Sequence, residues 1–179
     1  MKKSKLIRYA NIGFFILIIC VIVYVISDKD KAAVPKNTAS LQASAAQPIA
    51  NSLRDSIVEY GMSLLGTPYV TAGCSVDGFD CSGFVYFVFQ NFDVKVPRSS
   101  AQFEHFGTEV AIDDVQKGDL LLFLSPTRNA IGHMGIVSKA DGMNSDFIHS
   151  SSGREMKVIV TSLSNEGYTR RFVKAVRVL

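Results

Sequence analysis

Outside its N-terminus the sequence has no excess of positive charge, and this absence excludes one class of partner. Of 179 residues, 19 are Lys or Arg and 16 are Asp or Glu, so the formal net charge is +3. Lys2, Lys3, Lys5 and Arg8 precede any acidic residue, which leaves a net charge of −1 on the rest of the chain. No basic face remains for nucleic acid, and we expect no such partner.

The sequence also lacks the closely spaced ligand pairs of many zinc sites, since its three histidines and three cysteines are scattered. A metal site built from Cys81, His133 and His149 is conceivable but disfavoured on this ground. We expect neither a metal nor a cofactor. His105, on a predicted short surface helix, carries no functional expectation.

Residues 10–26 form one uncharged apolar run that follows the basic residues. The run is near the lower length limit for spanning a bilayer and is longer than a usual signal sequence core. The positive-inside rule places the N-terminus in the cytoplasm. Residues 1–26 therefore predict a membrane anchor, with a cleaved signal segment as the alternative. In both cases the rest of the chain is exported.

Residues 27–50 are rich in Ala, Ser, Lys and Gln without an apolar period, which predicts a flexible linker. A folded domain is predicted over residues 51–179. Its first helix is indicated by apolar residues spaced three or four apart between Ile49 and Leu64, and Gly66-Thr67-Pro68 ends it.

The stretch from Asp77 to Val85 joins a Gly-rich turn to a second, strongly apolar helix. Phe84, Phe87 and Val88 have helical spacing, and a helix that is apolar on two faces is buried in a core. Asp80 is a favourable N-cap, which places Cys81 in the first turn. The positive end of the helix is expected to lower the thiol pKa towards thiolate. The alternative is a cysteine that acts as a small buried hydrophobe.

Beyond Gly107 the pattern changes to strands. Residues 120–124 are continuously apolar, residues 133–137, 147–149 and 158–160 are strand-like, and residues 172–179 complete the set. Helices followed by an antiparallel meander predict an α+β fold.

Asp141-Gly142 predicts a hairpin turn, which brings His133 close to His149. A hairpin centred on this dipeptide places His133 opposite residue 150, whereas a centre on Asp141 places it opposite His149. Only the second alternative puts both rings on one face, because a slip of one residue reverses every side chain. A thiol at a helix start, a histidine and a third polar group are what nucleophilic catalysis needs.

Six segments occur in an order that resembles the NlpC-type cell-wall cysteine peptidases. They are Gly66-Thr67-Pro68-Tyr69-Val70, Gly78-Phe79-Asp80-Cys81-Ser82-Gly83-Phe84-Val85, Val96-Pro97-Arg98-Ser99-Ser100, Lys117-Gly118-Asp119-Leu120, His133-Met134-Gly135-Ile136-Val137 and Ile148-His149. The resemblance implies a papain-like fold with the nucleophile at the start of a core helix packed on an antiparallel sheet. It also implies an enzyme of the bacterial cell envelope that hydrolyses peptidoglycan stem peptides, between γ-D-glutamate and the diamino acid.

By this resemblance Cys81 is the nucleophile, His133 the base and His149 the residue that orients it. The resemblance also places Tyr69 beside the nucleophile, where it helps to hold the oxyanion together with the Cys81 N–H. Asp80, Ser82 and Arg98 are assigned to the same oxyanion and substrate region.

Two alternatives keep this fold but change the function. One is an acyl transferase that uses an acceptor other than water, and the other is a non-catalytic wall-binding module. Cys74 departs from the family pattern, and a Cys74–Cys81 disulfide would inactivate the enzyme in an oxidising compartment. A free Cys74 thiol is the expected state. The sequence leaves the oligomeric state open.

Overall fold

The computed structural model describes residues 38–179, and residues 45–179 form one compact unit. The predicted membrane segment 1–26 and the first part of the predicted linker lie outside the described residues. Among the described helices, none is long and apolar enough to cross a bilayer.

The first helix, α1, spans Thr38–Ser63 and contains the predicted amphipathic segment. It begins earlier than the sequence pattern predicts, because residues 38–50, which lie within the predicted linker, also belong to it. Ala is the commonest of these residues, and its high helix propensity favours helix even where no apolar period marks a buried face. The helix ends before Gly66, whose φ of +87° lies in the left-handed region that glycine adopts readily.

Two short strands, β1 (Cys74–Ser75) and β2 (Gly78–Phe79), form a small hairpin directly before the second helix. That helix, α2, spans Cys81–Gln90, and Asp80 is its N-cap as predicted. Phe84, Val85, Val88 and Phe89 are all buried, so the prediction of a core helix is confirmed.

A six-stranded antiparallel sheet forms the rest of the domain. Its strands are β3 (Thr108–Val110), β4 (Leu120–Leu124), β5 (Ile131–Lys139), β6 (Asp146–Ser150), β7 (Val158–Ser162) and β8 (Phe172–Arg177). A short helix, α3 (Glu166–Thr169), connects β7 to β8, and 3₁₀ turns occupy Ser100–His105, Ile112–Asp114 and Gly142–Asn144. The α+β, papain-like fold class is confirmed.

The strand order is β3-β8-β4-β5-β6-β7, so the four strands from β4 to β7 form the predicted meander. Strand β8 returns to pair with β4 instead of extending the sheet beside β7. The buried residues Ala175 and Val176 gain neighbours on both sides there, between β3 and β4. Apolar patterning marks a strand but carries no information about its neighbour, so the sequence did not predict this pairing.

The sheet is covered on both faces, which explains the continuously apolar β4. Leu120 and Leu122 pack in a core cluster with α1 and α2, whereas Leu121 and Phe123 pack in a second cluster with Val137 and Phe147. A strand buried on both faces has no reason to alternate polar and apolar residues. The two clusters hold β5 and β6 rigidly in the centre of the domain.

The buried carboxylate of Asp119 ties α1 to the sheet. It accepts hydrogen bonds from Arg54 Nη1 at 3.0 Å and from Arg177 Nη2 at 2.7 Å. The Gln116 N–H donates to it at 2.8 Å. This charge is therefore fully compensated inside the protein, as a buried ion requires.

Candidate active site

Cys81 lies at the first position of α2, where the helix start is held tightly. The Asp80 carboxylate accepts the Gly83 N–H at 2.6 Å. A Cβ added at Gly83 would lie 2.0 Å from the Gly73 carbonyl oxygen, so only glycine allows this loop to approach the helix. The backbone around the thiol is thus fixed by close packing and by a cap.

Arg98 joins the same cluster and binds Asp80 with both of its terminal nitrogens. Nη1 donates to Asp80 Oδ1 at 3.0 Å, and Nη2 donates to Oδ2 at 2.9 Å. The guanidinium also donates to Ser82 Oγ at 3.1 Å and to the carbonyl of Ala72 at 2.9 Å. The two predicted substrate residues, Asp80 and Arg98, therefore neutralise each other and fasten the loop to the helix.

The predicted lowering of the Cys81 pKa is wrong for this structure. Burial and the neighbouring Asp80 carboxylate raise the pKa of the Cys81 thiol to about 11, although backbone N–H groups of the helix start and Arg98 act in the opposite direction. Because the cap that starts the helix is itself an anion, it opposes the helix dipole at this position. The thiol is protonated at neutral pH.

The Cys81 thiol faces the beginning of β5. Its Sγ donates to the Gly132 carbonyl oxygen at 3.7 Å, and Gly132 directly precedes His133. The nucleophile candidate and the base candidate, far apart in sequence, are therefore brought to the same place by the contact between α2 and β5.

The His133 and His149 rings contact each other as a hydrogen-bonded pair. His133 Nε2 and His149 Nδ1 are 3.0 Å apart, and the rings are almost perpendicular. His149 Nε2 lies 2.9 Å from Thr161 Oγ1 on β7. This chain of contacts occupies His133 Nε2 and leaves Nδ1 as the ring nitrogen available to a thiol or substrate.

Neither predicted hairpin register is observed, although both rings do lie on the same face. Ile136 pairs with Ile148, which makes Gly135 the residue opposite His149 and places His133 two residues further along β5. The chain between β5 and β6 is longer than a two-residue turn and contains a 3₁₀ segment, so the turn dipeptide did not fix the register. His133 is displaced by two residues from the position opposite His149. Because side chains alternate between the two faces of a sheet, a displacement by two keeps both rings on one face.

Gly135 makes room for this diagonal pair. A Cβ at this position would lie 2.5 Å from the Phe147 ring, 2.8 Å from the Ile148 carbonyl oxygen and 3.0 Å from His149 Cβ. Backbone and side chain from β6 thus occupy the space that a side chain would need.

Both rings are uncharged at neutral pH because they are buried. Burial, with a further contribution from the Arg171 charge, lowers the pKa of His133 to about 4. Burial and the neighbouring His133 lower the pKa of His149 to about 2. A neutral imidazole beside a protonated thiol can accept the thiol proton, which is what a general base requires.

Tyr168 forms the wall behind the histidines. Its ring centroid is 5.8 Å from His133 and 5.2 Å from His149, and the Arg171 guanidinium lies 5.0 Å above the tyrosine ring. This aromatic and cationic wall packs against one side of the imidazole pair.

On the other side of Cys81, Tyr69 lines an open cleft of about 500 Å³ together with Asp80, Ser82 and Arg98. Burial and the nearby Cys81 and Asp80 raise the pKa of Tyr69, so its phenol keeps its proton. A protonated phenol is a hydrogen-bond donor, as an oxyanion contact requires.

The structure also locates Cys74 and His105, for which the sequence analysis stated expectations. Cys74 and Cys81 are both free thiols, and Cys74 Sγ donates to the Gly83 carbonyl oxygen at 3.7 Å. Among the described residues, no cluster of three or more metal-binding side chains occurs. His105 is exposed in the turn Ser100–His105.

Thr161 and Tyr168 were not predicted from the sequence. Thr161 reaches His149 only because β7 pairs with β6 in the register Phe147–Thr161, which places it diagonally to His149. Tyr168 belongs to a helix of four residues that has no apolar period. A correct strand register was the one signal that could have pointed to Thr161.

Comparison with known proteins agrees with this geometry. The family model described as "NlpC/P60 family" matches residues 66–177. A probable endopeptidase of Haemophilus influenzae is 35% identical over 114 residues, which are 63% of this chain and 67% of the relative. A γ-D-glutamyl-L-lysine dipeptidyl-peptidase of Bacillus cereus is 33% identical over 125 residues, which are 70% of this chain and 36% of the relative.

A crystal structure of an NlpC/P60 family protein from Bacillus cereus superimposes with a TM-score of 0.63 at 31% identity, over 70% of this chain and 40% of that one. The chain spans between 29% and 36% of the length of the first curated relatives that it matches. The matched segment contains the helix start at Cys81 and the paired histidines, and the chain belongs to the NlpC/P60 family.

Proposed function

We propose that the protein is a thiol endopeptidase that hydrolyses peptidoglycan stem peptides outside the cytoplasm, at the bond between γ-D-glutamate and the diamino acid. The observation that carries the proposal is the placement of the Cys81 thiol beside the start of β5, where His133 is held by His149. The name of the Bacillus cereus relative supports the choice of bond.

In the proposed reaction, His133 Nδ1 accepts the Cys81 proton while the sulfur attacks the substrate carbonyl carbon. The resulting oxyanion accepts hydrogen bonds from the Cys81 N–H and the Tyr69 phenol. His133 then returns the proton to the leaving amine as the C–N bond breaks, which leaves a thioester on Cys81. Water, deprotonated by the same ring, then attacks the thioester carbonyl, the C–S bond breaks to release the acyl product as a carboxylic acid, and His133 returns the proton to the Cys81 sulfur.

The starting state in this mechanism is an uncharged thiol and imidazole. The raised Cys81 pKa and the lowered His133 pKa favour proton transfer during the attack over a preformed ion pair. We assign His149 the role of holding the His133 ring, and Thr161 the role of holding His149. Both are positioning residues, since neither lies where it would contact the scissile bond.

Asp80, Ser82 and Arg98 are proposed to form the wall of the substrate cleft on the acyl side of the bond. Their mutual hydrogen bonds keep that wall rigid and leave it with almost no net charge.

The test is digestion of defined muropeptides by the purified full-length protein, analysed by mass. We expect Cys81→Ala and His133→Ala each to abolish fragment release, because either change removes a reacting group. His149→Ala should reduce release less. Cys74→Ala is the matched control and should retain activity, because its thiol bonds only to the Gly83 carbonyl. Undiminished release by Cys81→Ala contradicts the proposal.

The same digestion, repeated with an added amine, separates hydrolysis from acyl transfer. Hydrolysis leaves a free carboxylate on the γ-D-glutamate, whereas transfer attaches the amine there. Binding of muropeptides without any product would instead indicate a wall-binding module.

We propose further that residues 1–26 anchor the protein in the membrane, that residues 27–50 separate this anchor from the peptidase domain, and that residues 51–179 carry the activity in the bacterial cell envelope. The basic residues before an uncharged run support this orientation. The expected result is that the full-length protein stays in the membrane pellet after alkaline extraction. Release into the soluble fraction, with an intact N-terminus, contradicts the anchor.

A further inference from the structure

The backbone of Phe79, two residues before Cys81, is bonded to another segment of the proposed active site. Its N–H donates to the Pro68 carbonyl at 3.0 Å, and its carbonyl oxygen accepts the Val70 N–H at 3.0 Å. Tyr69, the proposed oxyanion donor, lies between these two residues and forms an isolated parallel bridge with Phe79. The segment that contains Tyr69 is therefore held against the segment that leads to the nucleophile.

The Phe79 carbonyl accepts a second hydrogen bond, and this one comes from the sheet. Ser150 Oγ donates to it at 2.8 Å, and both residues are completely buried. Ser150 is the last residue of β6 and directly follows His149. One carbonyl thus joins the three parts of the chain that carry the proposed nucleophile, the oxyanion tyrosine and the orienting histidine.

The end of β6 is held from both faces of the sheet, because side chains alternate along a strand. Ile148 and Ser150 point to the face that packs on α2, where Ile148 shares a core cluster with Phe84. His149 points to the opposite face, where it contacts His133. The histidine pair therefore fixes one face of this strand end, and the bond from Ser150 fixes the other.

Apolar packing of α2 on the sheet does not by itself fix the position of Cys81. Burial of apolar surface is not directional, whereas a hydrogen bond favours one distance and one angle. Reacting atoms need to lie within about 3–3.5 Å of each other, and a misplacement of about 1 Å can cost a factor of about 100 in rate. The bond between Ser150 and Phe79 supplies a directional contact close to the reacting groups.

We propose that Ser150 is a positioning residue, whose hydroxyl aligns Cys81 with the histidine pair through the Phe79 carbonyl. The inference rests on the proposed function. Ser150 lines neither the cleft at Cys81 nor a second cleft, of about 500 Å³, that borders His133. It therefore acts on the rate of bond cleavage and not on substrate binding.

The test measures kcat and KM of the purified full-length protein on a defined muropeptide. Ser150→Ala should lower kcat about five- to tenfold, the rate equivalent of about one neutral hydrogen bond, and should leave KM within about twofold. The Phe79 carbonyl keeps the Val70 N–H as a partner, so the variant should fold. Ser150→Cys supplies a weaker donor of similar shape and should give an intermediate kcat.

Ser145→Ala is the matched control, at the opposite end of β6. Ser145 is also completely buried, and its hydroxyl donates to the Gly142 carbonyl at 2.7 Å and accepts the Asp141 N–H at 2.8 Å. Because this variant loses two hydrogen bonds, it should be at least as destabilised in denaturant unfolding as Ser150→Ala, yet keep kcat within about twofold.

Three results overturn the inference: a kcat of Ser150→Ala within twofold of the wild-type value, a loss of activity carried by KM, or equal losses of kcat in Ser150→Ala and Ser145→Ala. Equal losses would assign the effect to stability and not to alignment.

A second measurement needs no substrate and separates this inference from the proposed function. The rate of iodoacetamide labelling of Cys81, measured by mass spectrometry of the peptide that contains it, reports how firmly the thiol is held. Ser150→Ala should raise this rate about threefold or more, because the start of α2 is no longer tied to β6, and Ser145→Ala should leave it unchanged.

If the wild-type protein cleaves no muropeptide, the proposed function fails, and the labelling rates alone decide whether Ser150 positions the thiol. Equal rates in the wild-type protein and Ser150→Ala, or equal increases in both serine variants, then overturn the inference.

Discussion

Two aspartate–arginine clusters hold this domain together, and they differ in location and in consequence. Asp119 is completely buried and joins Arg54 and Arg177, whereas the side chain of Asp80 remains 16% exposed and joins Arg98 beside the Cys81 thiol. Asp119 lines neither the cleft beside His133 nor the cleft beside Cys81. The same pair of residue types therefore fixes the fold in one place and sets the electrostatics of a reactive group in the other.

The largest expected effect concerns the buried cluster. Asp119→Ala should lower the free energy of unfolding by about 3–5 kcal/mol, because it leaves the buried Arg54 guanidinium and the partly buried Arg177 guanidinium without a carboxylate. Denaturant unfolding measures this loss. Asp55→Ala removes only the exposed pair with Lys117, and its cost should stay below about 1 kcal/mol. Equal losses would remove the distinction between buried and exposed ion pairs here.

The paired histidines are buried, as Asp119 is, and they lie in the candidate active site, as Asp80 does. Their burial predicts that the stability of the protein depends on pH. Their pKa values are depressed to about 4 and about 2, so between pH 6.5 and pH 4 the unfolded state binds more protons than the folded state. Stability is fully present above pH 6.5 and falls as the pH decreases.

Each buried imidazole should contribute up to about 1.4 kcal/mol per pH unit to this slope. Unfolding of wild-type protein and of His133→Gln between pH 7 and pH 5 tests it, and the variant should show the smaller slope. An unchanged slope in His133→Gln would contradict the buried neutral state.

The partly buried cluster of Asp80 and Arg98 should control the reactivity of the thiol. Asp80→Asn removes the charge that helps to raise the Cys81 pKa, so the thiol pKa should fall, whereas Arg98→Gln should raise it. The pH profile of alkylation, measured in a Cys74→Ala background, reports both shifts. Because asparagine caps a helix as well as aspartate does, Asp80→Asn should cost only about 1 kcal/mol of stability.

Asp77→Asn provides the matched control for this charge effect, since Asp77 is an exposed aspartate in the same loop. Its alkylation profile should match that of the parent protein. Shifts of the same sign in Asp80→Asn and Arg98→Gln would show that loop distortion, and not charge, controls the thiol.

The smallest expected effect is at Thr161, which acts only through His149. Thr161→Val removes the hydrogen bond to His149 Nε2, so the ring loses an orienting partner. Because Thr161 does not line the clefts beside Cys81 and His133, kcat should fall severalfold with little change in KM. Thr161→Ser keeps the hydroxyl and should restore the rate. A loss that serine does not rescue would indicate a packing effect of the methyl group.

The sequence predicted those parts of the site that depend on local pattern. The helical spacing of Phe84 to Phe89 and the capping preference of Asp80 placed Cys81 correctly at a helix start. The family resemblance identified His133 and His149, and the structure brings them into contact.

The rest depends on contacts that no local pattern contains. The register of β5 and β6 follows from a longer connection than the turn dipeptide indicated. Thr161 reaches His149 through the register of β6 and β7, which no sequence pattern indicated. The direction of the Cys81 pKa shift depends on how deeply the thiol is buried and on a carboxylate that caps its own helix. Strand β8 pairs with β4 for reasons of packing across the whole sheet.

The close approach at Gly135 has a consequence for recognising inactive members of this family. A chain could retain counterparts of Cys81, His133 and His149 and still be inactive if alanine replaced this glycine, since one methyl group would force β5 and β6 apart and separate the imidazole rings. Counting the three polar residues is therefore an insufficient criterion for activity. Gly135 therefore belongs in any sequence signature that is used to distinguish active from inactive members of the family.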